Sequence, residues 1–344
     1  TTFVIIGLTL AYAIYVYPVT VLLHLIFNFK IFQKHFLLAT IILSISLLWC
    51  LRTKKYQPLI RQVVHHTMGV GFIAFFIMNL TLAVSYLEPD LKFYAGMIGA
   101  ISIFFACVFS LKNGRDVKVK KLIFESKKID RQLNFAFISD VHLGSNPRSH
   151  LEKICNEVML LDVDYLLIGG DLFDTSSFQV HDLEPFLKLE CPIYFVTGNH
   201  EYYVDGYKEK LEQLQRYNIS ILDNEVVSFS SINLVGVSDN QSEEKQIQIT
   251  TALVTEETYN VVIIHKPSIW EKVSQNVDLM LSGHTHKGQI FPFNFFVRLK
   301  FKNVYGLFED GSNRLYVSSG SGTWGPRMRL GTQNEILKIS IEPI

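Results

Sequence analysis

Histidine and acidic side chains follow several short apolar runs in the C-terminal two thirds of the chain. Each of these runs is typical of a buried strand, so the polar residues stand where a strand ends. The clusters contain, in chain order, Asp140, His142, Asp171, Asn199, His200, His265, His284 and His286. Carboxylate, amide and imidazole groups together form the ligand set of divalent metal ions. Five such clusters in one domain predict a centre that holds two metal ions.

The first clusters combine acidic residues with glycine. Asp140 and His142 stand two residues apart, so both side chains can point toward one ion, although a solvated turn gives the same pattern. Asp171 follows Gly170, and a glycine lets the backbone approach an ion or a phosphate without a Cβ in the way. Asp174 is a hydrogen-bond partner for a catalytic imidazole or, alternatively, a helix N-cap.

The later clusters are richer in histidine. Asn199 offers a neutral carbonyl oxygen, and the adjacent His200 offers a proton donor whose ordinary pKa is close to neutrality; a turn with an incidental histidine is the alternative. His265 follows an apolar run, where a lone histidine is more often structural. His284 and His286 stand one residue apart on a glycine turn and can face two neighbouring ions.

Alternating strand and helix patterns surround these clusters and predict an α/β fold. Ligands of such folds gather at the carboxyl ends of the strands. The predicted strands cover residues 133–139, 165–169, 193–197, 232–237, 261–264, 279–282, 315–318 and 336–341. The predicted helices cover residues 148–161, 178–189 and 206–216.

The N-terminal third predicts a membrane domain. Hydrophobic residues make up 49% of the chain, and the excess lies before residue 112. A helix needs about 20 apolar residues to cross a bilayer. Runs of this kind cover residues 3–27, 36–51, 68–87 and 93–111, which predicts four transmembrane helices. Buried core helices and a cleaved signal peptide are the weaker alternatives.

Charges in the loops predict the orientation of these helices. Basic residues lie in the loop between the second and third runs and in the segment after the fourth run, which must be on the same side of the membrane. They are Arg52, Lys54, Lys55, Arg61, Lys112, Arg115, Lys118, Lys120 and Lys121. The positive-inside rule then places the N-terminus and the C-terminal domain in the cytoplasm. Lys30 and Lys34 lie in a loop on the opposite side and do not follow this rule. The chain has 32 basic and 32 acidic residues, so its net charge predicts no nucleic-acid partner. Its four cysteines predict no disulfide framework.

In order and spacing, the clusters resemble the motifs of the calcineurin-like metallophosphoesterase superfamily, over about residues 133–341. The resemblance implies a membrane-anchored member whose catalytic domain is a β-sandwich flanked by helices. The expected domains are a four-helix transmembrane domain at 1–111, a basic linker and first strand at 112–132, and the metallophosphoesterase domain at 133–344.

The resemblance also implies a role for each matching residue. One ion is held by the residues at Asp140, His142, Asp171 and His286. The second ion is held by those at Asp171, Asn199, His265 and His284. His200 would act above the ions as the catalytic histidine, oriented by Asp174. Two divalent ions activate a water and neutralise phosphoryl oxygens. Mn²⁺ is the expected ion, with Fe²⁺ and Zn²⁺ as alternatives.

Two stretches concern the substrate. Residues 289–308 interleave seven aromatic residues with three basic ones, which suits either a bilayer interface or an ordinary half-buried hairpin. Residues 320–331 resemble a glycine-rich loop in which Arg327 and Arg329 would clamp a phosphate. Lys287 stands where membrane-associated members usually carry glycine, so it is a further candidate for substrate binding.

Three functions compete at this point. The first is a membrane-embedded hydrolase for a lipid or lipid-linked phosphoester or pyrophosphate, similar to the enzymes that cleave UDP-2,3-diacylglucosamine. The second is a tethered phosphodiesterase for soluble nucleotides or other phosphodiesters. The third is a non-catalytic scaffold, which a full ligand set and His200 disfavour.

Overall fold

The computed structural model describes residues 2–30, 35, 38–45, 57–176, 178–229 and 231–344. The chain divides into two units. One unit contains Thr1–Lys112 together with Gly325–Leu330, and the other contains Asn113–Trp324 together with Gly331–Ile344. The short segment Gly325–Leu330 therefore belongs with the helices of the N-terminal unit, although it lies late in the chain.

The N-terminal unit is helical. Helix α1 (Thr2–Ala11), a π-helical stretch (Tyr12–Val16) and helix α2 (Tyr17–Phe27) follow one another, and α3 (Gln57–Leu87) and α4 (Lys92–Asn113) come next. Within the described residues, three spans are long and apolar enough to cross a membrane: Ile5–Phe27, Leu59–Leu87 and Pro89–Asn113. Half of the predicted span at 36–51 lies outside the described residues, so the fourth helix stays a prediction.

The C-terminal unit is built from strands in two mixed sheets. They are β1 (Val117–Ser126), β2 (Leu133–Ile138), β3 (Tyr165–Gly169), β4 (Ile193–Val196), β5 (Ile219–Ile221), β6 (Glu225–Phe229), β7 (Ile232–Val237), β8 (Tyr259–Ile264), β9 (Leu279–Ser282), β10 (Gly306–Asp310), β11 (Asn313–Val317) and β12 (Asn334–Pro343). Among the described residues, the first sheet has the order β1-β12-β2-β3-β4-β5 and the second β10-β11-β9-β8-β7-β6.

Parallel pairing at the centre of each sheet explains where the polar clusters meet. In the first sheet β2, β3 and β4 run parallel, and in the second β7, β8 and β9 run parallel. Parallel strands end at the same edge of a sheet, so the residues that follow them converge. The edge pairs β6–β7 and β10–β11 are antiparallel hairpins.

Apolar layers hold the two sheets together. Phe135 and Phe137 of the first sheet pack in one buried cluster with Val261, Ile263 and Leu281 of the second. Further clusters lie on the outer faces. There α5 (Arg148–Met159) covers the first sheet, and α7 (Glu243–Leu253) and α8 (Trp270–Val273) cover the second. The short helix α6 (Tyr207–Glu212) lies between β4 and β5 in the chain. Strands buried on both faces are apolar throughout, which explains their continuous runs.

Some predicted elements differ from the structure. The predicted helix at 178–189 is a 3₁₀-helix at Val180–Lys188, because in an α-helix the ring of Pro185 would clash with the carbonyl group four residues earlier. The predicted helix at 206–216 ends as an α-helix at Glu212 and continues as the 3₁₀ stretch Gln213–Tyr217. Residues 289–302 are not the hairpin considered above, because they contain helix α9 (Phe293–Lys300).

Candidate metal centre

The predicted ligands come together where strands of both sheets end. Three of them follow the parallel strands β2, β3 and β4 of the first sheet, and these are Asp140, Asp171 and Asn199. Three further predicted ligands, all of them histidines, follow β8 and β9 of the second sheet, and these are His265, His284 and His286. The site therefore lies across the edges of two sheets that a shared core holds in place.

Asp140, His142 and His286 form the first cluster. One donor atom from each lies within 4.8 Å of the other two. The Nε2 atoms of His142 and His286 are 3.1 Å apart, and His286 Nε2 is 3.4 Å from Asp140 Oδ1. Nitrogen atoms that converge with a carboxylate in a buried position are arranged as the ligands of a cation.

Asp171, His265 and His284 form the second cluster, again with donor atoms within 4.8 Å of one another. His265 Nε2 is 3.1 Å from Asp171 Oδ2 and 3.1 Å from His284 Nδ1. On its other side, His265 Nδ1 lies 2.9 Å from the carbonyl oxygen of Gly169. A hydrogen bond at Nδ1 directs Nε2 into the cluster, which is how metal-binding imidazoles are commonly oriented.

Asp171 connects the two clusters. Its Oδ2 atom is 3.1 Å from His265 Nε2 and 3.7 Å from His142 Nε2. Burial disfavours its ionised form, but the charges of His265 and His142 outweigh burial and hold the pKa of Asp171 well below its usual range. Burial likewise disfavours the charged form of His265, yet the Asp171 carboxylate raises the pKa of His265 to about 10. The centre thus keeps an ionised carboxylate between two groups of histidines.

Asn199 provides a test of whether a cation fits. Its side-chain Oδ1 is buried and accepts no hydrogen bond from the described residues. A buried acceptor without a partner is costly, and a coordinated cation would satisfy it. Together with the carboxylates and imidazoles, this oxygen completes a mixed oxygen and nitrogen donor set that fits divalent transition metals. The assignment of individual ligands to two ions stays a prediction.

The backbone at the site is unusual, because five of the seven predicted ligands have positive φ angles. They are Asp140, His142, Asp171, His284 and His286, with φ between 48° and 69°. This left-handed conformation costs about 1–2 kcal/mol for a residue with a side chain. Residues strained in this way cluster at functional sites, where the surrounding fold over-determines them. Backbone strain therefore marks the same residues that the sequence singled out.

Glycine allows the ligand loops to approach one another closely. A Cβ on Gly198 would lie 2.2 Å from Asp171 Oδ1, and one on Gly283 would lie 2.3 Å from Asp140 Oδ2. Both distances are far below van der Waals contact. The glycine that precedes each of these two motifs is therefore needed for the position of a carboxylate in another loop.

Glu201 is a site residue that the sequence reasoning missed. Its fully buried carboxylate accepts hydrogen bonds from the backbone N–H groups of Asp171 at 3.1 Å, Phe173 at 3.1 Å and Gly198 at 2.7 Å. It thereby fixes the loops after β3 and β4 to each other. Burial and the Asp171 charge raise the pKa of Glu201 to about 7. The sequence feature that could have revealed Glu201 as a site residue is its position directly after His200.

His200 lies beside the clusters, and its imidazole contacts other rings. Its centroid is 4.8 Å from that of His142, 5.5 Å from Tyr203 and 5.7 Å from Trp324. Burial outweighs the nearby Asp171 carboxylate and lowers the pKa of His200 to about 4. Tyr203 and Trp324 are both exposed, so they form an aromatic rim beside His200. Neither residue was predicted from the sequence.

Asp174 makes contacts beyond the one predicted for it. Donor atoms of Asp174, His142 and His200 lie within 4.8 Å of one another. The carboxylate is 3.4 Å from His142 Nδ1 and accepts hydrogen bonds from the backbone N–H and the hydroxyl of Ser145. Asp174 therefore lies close to His142 as well as to His200, whose orientation by Asp174 stays a prediction.

The predicted substrate residues fall in two places. Lys287 follows His286 directly, and its Nζ lies 4.1 Å from the ring centroid of Tyr305. Arg327 and Arg329 lie in Gly325–Leu330, which groups with the N-terminal helices, and Arg329 is fully buried. Their role as a phosphate clamp stays a prediction.

Several known proteins that are similar to this chain are metallophosphoesterases. The sequence model of calcineurin-like phosphoesterases matches residues 133–288. An uncharacterized metallophosphoesterase of Helicobacter pylori is 37% identical over 238 residues, which cover 66% of this chain and 64% of that protein. One of Aquifex aeolicus is 30% identical over 241 residues, covering 66% of this chain and 92% of that protein. A transmembrane protein with a metallophosphoesterase domain from Bos taurus is 30% identical over 235 residues, covering 61% and 53%. The chain thus spans less than two thirds of the Helicobacter relative.

Proposed function

Because this chain belongs to the calcineurin-like metallophosphoesterase family, we propose that it is a membrane-bound hydrolase that cleaves a phosphoester or pyrophosphate bond with two divalent metal ions. The proposal rests on Asp171, whose carboxylate lies 3.1 Å from His265 in one ligand cluster and 3.7 Å from His142 in the other. A buried carboxylate shared by two sets of histidines is suited to bridge two cations.

The residues would divide the work as follows. Bound metal ions would supply an activated water and neutralise charge on the phosphoryl oxygens. The two clusters would hold these ions, with Asn199 adding its unpartnered oxygen to the second. His200 would hydrogen-bond a phosphoryl oxygen or deliver a proton to the leaving oxygen. Asp174 would fix the His142 ring from the side opposite its metal-facing Nε2 atom.

The metal is proposed to be Mn²⁺, with Fe²⁺ and Zn²⁺ as alternatives. The donor set supports a borderline transition metal, because it mixes carboxylate and amide oxygens with imidazole nitrogens. Elemental analysis of the purified chain would decide among the three. Two equivalents of one metal per chain are expected, and fewer than one would contradict a dinuclear centre.

The substrate is proposed to be a lipid or lipid-linked molecule. The proposal is supported by three membrane-length spans in the chain and by the exposed aromatic residues close to the centre. Hydrolysis of the type that releases UMP from UDP-2,3-diacylglucosamine is one candidate reaction. The catalytic domain is proposed to face the cytoplasm, because the basic loops follow the positive-inside pattern.

The experiment uses the full chain reconstituted in vesicles. Turnover of bis-p-nitrophenyl phosphate is compared between the wild type, Asp171→Ala and His200→Ala. We expect the wild type to turn over this substrate and both variants to lose turnover. If the wild type is also inactive, a non-catalytic scaffold becomes the better explanation.

A lipidomic comparison of cells with and without the protein addresses the substrate. A phospholipid or a lipid-linked nucleotide should accumulate when the protein is absent. An unchanged lipid profile, together with turnover of soluble nucleotides by the purified chain, would favour the tethered phosphodiesterase instead.

A further inference from the structure

Helix α9 (Phe293–Lys300) carries large apolar side chains that face solvent. Phe293 is 47% exposed, Phe295 55%, Phe296 53% and Leu299 85%. The preceding Phe291 is 51% exposed. Soluble surfaces rarely present so many large apolar groups together, and a patch of this kind marks an interaction site.

The helical spacing collects these side chains on one broad arc. Successive residues of a helix are about 100° apart, so positions 293, 295, 296 and 299 cover roughly half of the circumference. Ring contacts hold the patch together, because the centroids of Phe291 and Phe295 are 5.8 Å apart and so are those of Phe293 and Phe296. The aromatic groups are therefore arranged before any partner arrives.

The charged residues of the segment that contains the patch are all basic. No aspartate or glutamate occurs between residues 287 and 308, whereas Lys287, Arg298, Lys300 and Lys302 do occur. Lys302 forms an ion pair with Glu271, and Arg298 and Lys300 are exposed on the helix itself. A short helix with aromatic and leucine side chains and adjacent cations has the composition of an interfacial membrane helix that meets anionic lipid.

Chain connectivity keeps the C-terminal unit close to a bilayer. The last membrane-length helix ends at Asn113, and strand β1 begins at Val117. The three residues between them reach at most about 10 Å. If this helix crosses a bilayer, strand β1 begins within about 10 Å of the end of the span.

The helix is also joined to the metal centre. The ring of Phe301, directly after the helix, lies 5.2 Å from that of His284. The backbone of Asn294 lies so close to Gly288 that a Cβ there would meet it at 2.4 Å. The turn that carries His284 and His286 thus packs directly against this helix.

We propose that Phe293–Lys300 is an interfacial helix that inserts its apolar arc into the boundary between lipid headgroups and acyl chains. Arg298 and Lys300 then lie at the level of the lipid phosphates. The mouth of the metal centre is held at the bilayer surface as a result. This interaction is one of binding, and it holds whether or not the phosphoesterase activity proposed above is correct.

The test places the photo-crosslinking residue p-benzoylphenylalanine at position 296 or 299 of the full chain. The protein is reconstituted in vesicles of phosphatidylethanolamine and phosphatidylglycerol, irradiated, and analysed by mass spectrometry for lipid adducts. The matched control carries the same residue at Leu160, an apolar side chain that is 79% exposed at the end of helix α5. Thermal unfolding verifies that each variant is folded.

We expect about tenfold more lipid adduct at 296 and 299 than at 160, because of the three labelled positions only 296 and 299 lie on the helix proposed to meet acyl chains. Equal adduct formation at all three positions, or none at 296 and 299, would overturn the proposal. Crosslinks to a second copy of the chain in place of lipid would also overturn it, and would assign the patch to self-association. None of these readings depends on turnover.

Discussion

Gln289 forms two hydrogen bonds with the backbone of Trp324, which lies 35 residues further along the chain. Its Nε2 donates to the carbonyl oxygen of Trp324 at 2.9 Å, and its Oε1 accepts from the Trp324 N–H at 2.9 Å. The carbonyl oxygen of Gln289 in turn accepts from the Thr332 hydroxyl. The turn after the His284–His286 pair thus fixes the loop that brings Trp324 beside His200.

Replacing Gln289 should weaken substrate binding more than catalysis. Gln289→Ala removes both hydrogen bonds to Trp324, and each is worth about 1 kcal/mol, so we expect KM to rise by up to about 30-fold with kcat changed far less. Trp324→Ala should have the same effect, and Trp324→Phe should retain most of the affinity. Steady-state kinetics in vesicles would check this, and an equal fall in kcat for Gln289→Ala would show that the rim acts on chemistry.

Glu201→Gln should destabilise the C-terminal unit. The glutamine oxygen can replace only part of the carboxylate, and its NH₂ group would face backbone N–H donors that now point at Glu201. Burying unpaired donors in this way costs about 1–3 kcal/mol. Thermal unfolding of the full chain would measure the loss, with Glu225→Gln, an exposed carboxylate on β6, as control. An unchanged Tm in both variants would contradict a loop-fixing role for Glu201.

Gly198→Ala should weaken metal binding, because the added methyl group displaces Asp171. The added Cβ would lie 2.2 Å from Asp171 Oδ1, so the carboxylate must move. Gly7→Ala is the control, because it also adds a methyl group at a glycine without positive φ but meets nothing within 4 Å. We expect metal affinity to fall about 10- to 100-fold for Gly198→Ala, as for other disturbed ligand supports. Isothermal titration with Mn²⁺ would compare them, and equal affinities would show that the ligand loops yield to the methyl group.

Metal removal should lower thermal stability as well as abolish hydrolysis. A ligand present at 100 times its Kd stabilises the folded state by about 2.7 kcal/mol. Chelation should therefore lower the Tm of the C-terminal unit, and Mn²⁺ should restore it. The double variant Asp140→Ala/His265→Ala removes one ligand from each cluster and should show no Mn²⁺-dependent shift. A shift of normal size in this variant would place the bound metal elsewhere.

The strand ends and the clustering of ligands could be predicted because parallel strands terminate together. That rule alone brings Asp140 and Asp171 together at the edge of the first sheet. His265 follows a parallel strand of the second sheet, so its approach to them also depends on the packing of the two sheets. Glu201 escaped prediction because its role depends on three backbone N–H groups from two loops, and no local pattern reveals such a convergence. Trp324 escaped because its partner Gln289 is distant in sequence.

Helix α9 shows a different limit. Its phenylalanines and valine favour strands by intrinsic propensity, so a hairpin was a reasonable expectation. The helix forms instead between the turn after His286 and strand β10, where Asn294 packs against Gly288. Tertiary contact, not local preference, decided the conformation.

The ligands' origin in two different sheets has a mechanical consequence. Asp171 belongs to a loop of the first sheet and His265 to the second, so sliding or opening the sandwich would pull a metal-binding pair apart. Bound ions would then hold the two sheets together, and moving one sheet against the other would break metal–ligand bonds. Control of access must instead come from the parts that surround the opening, such as the loop that carries Trp324.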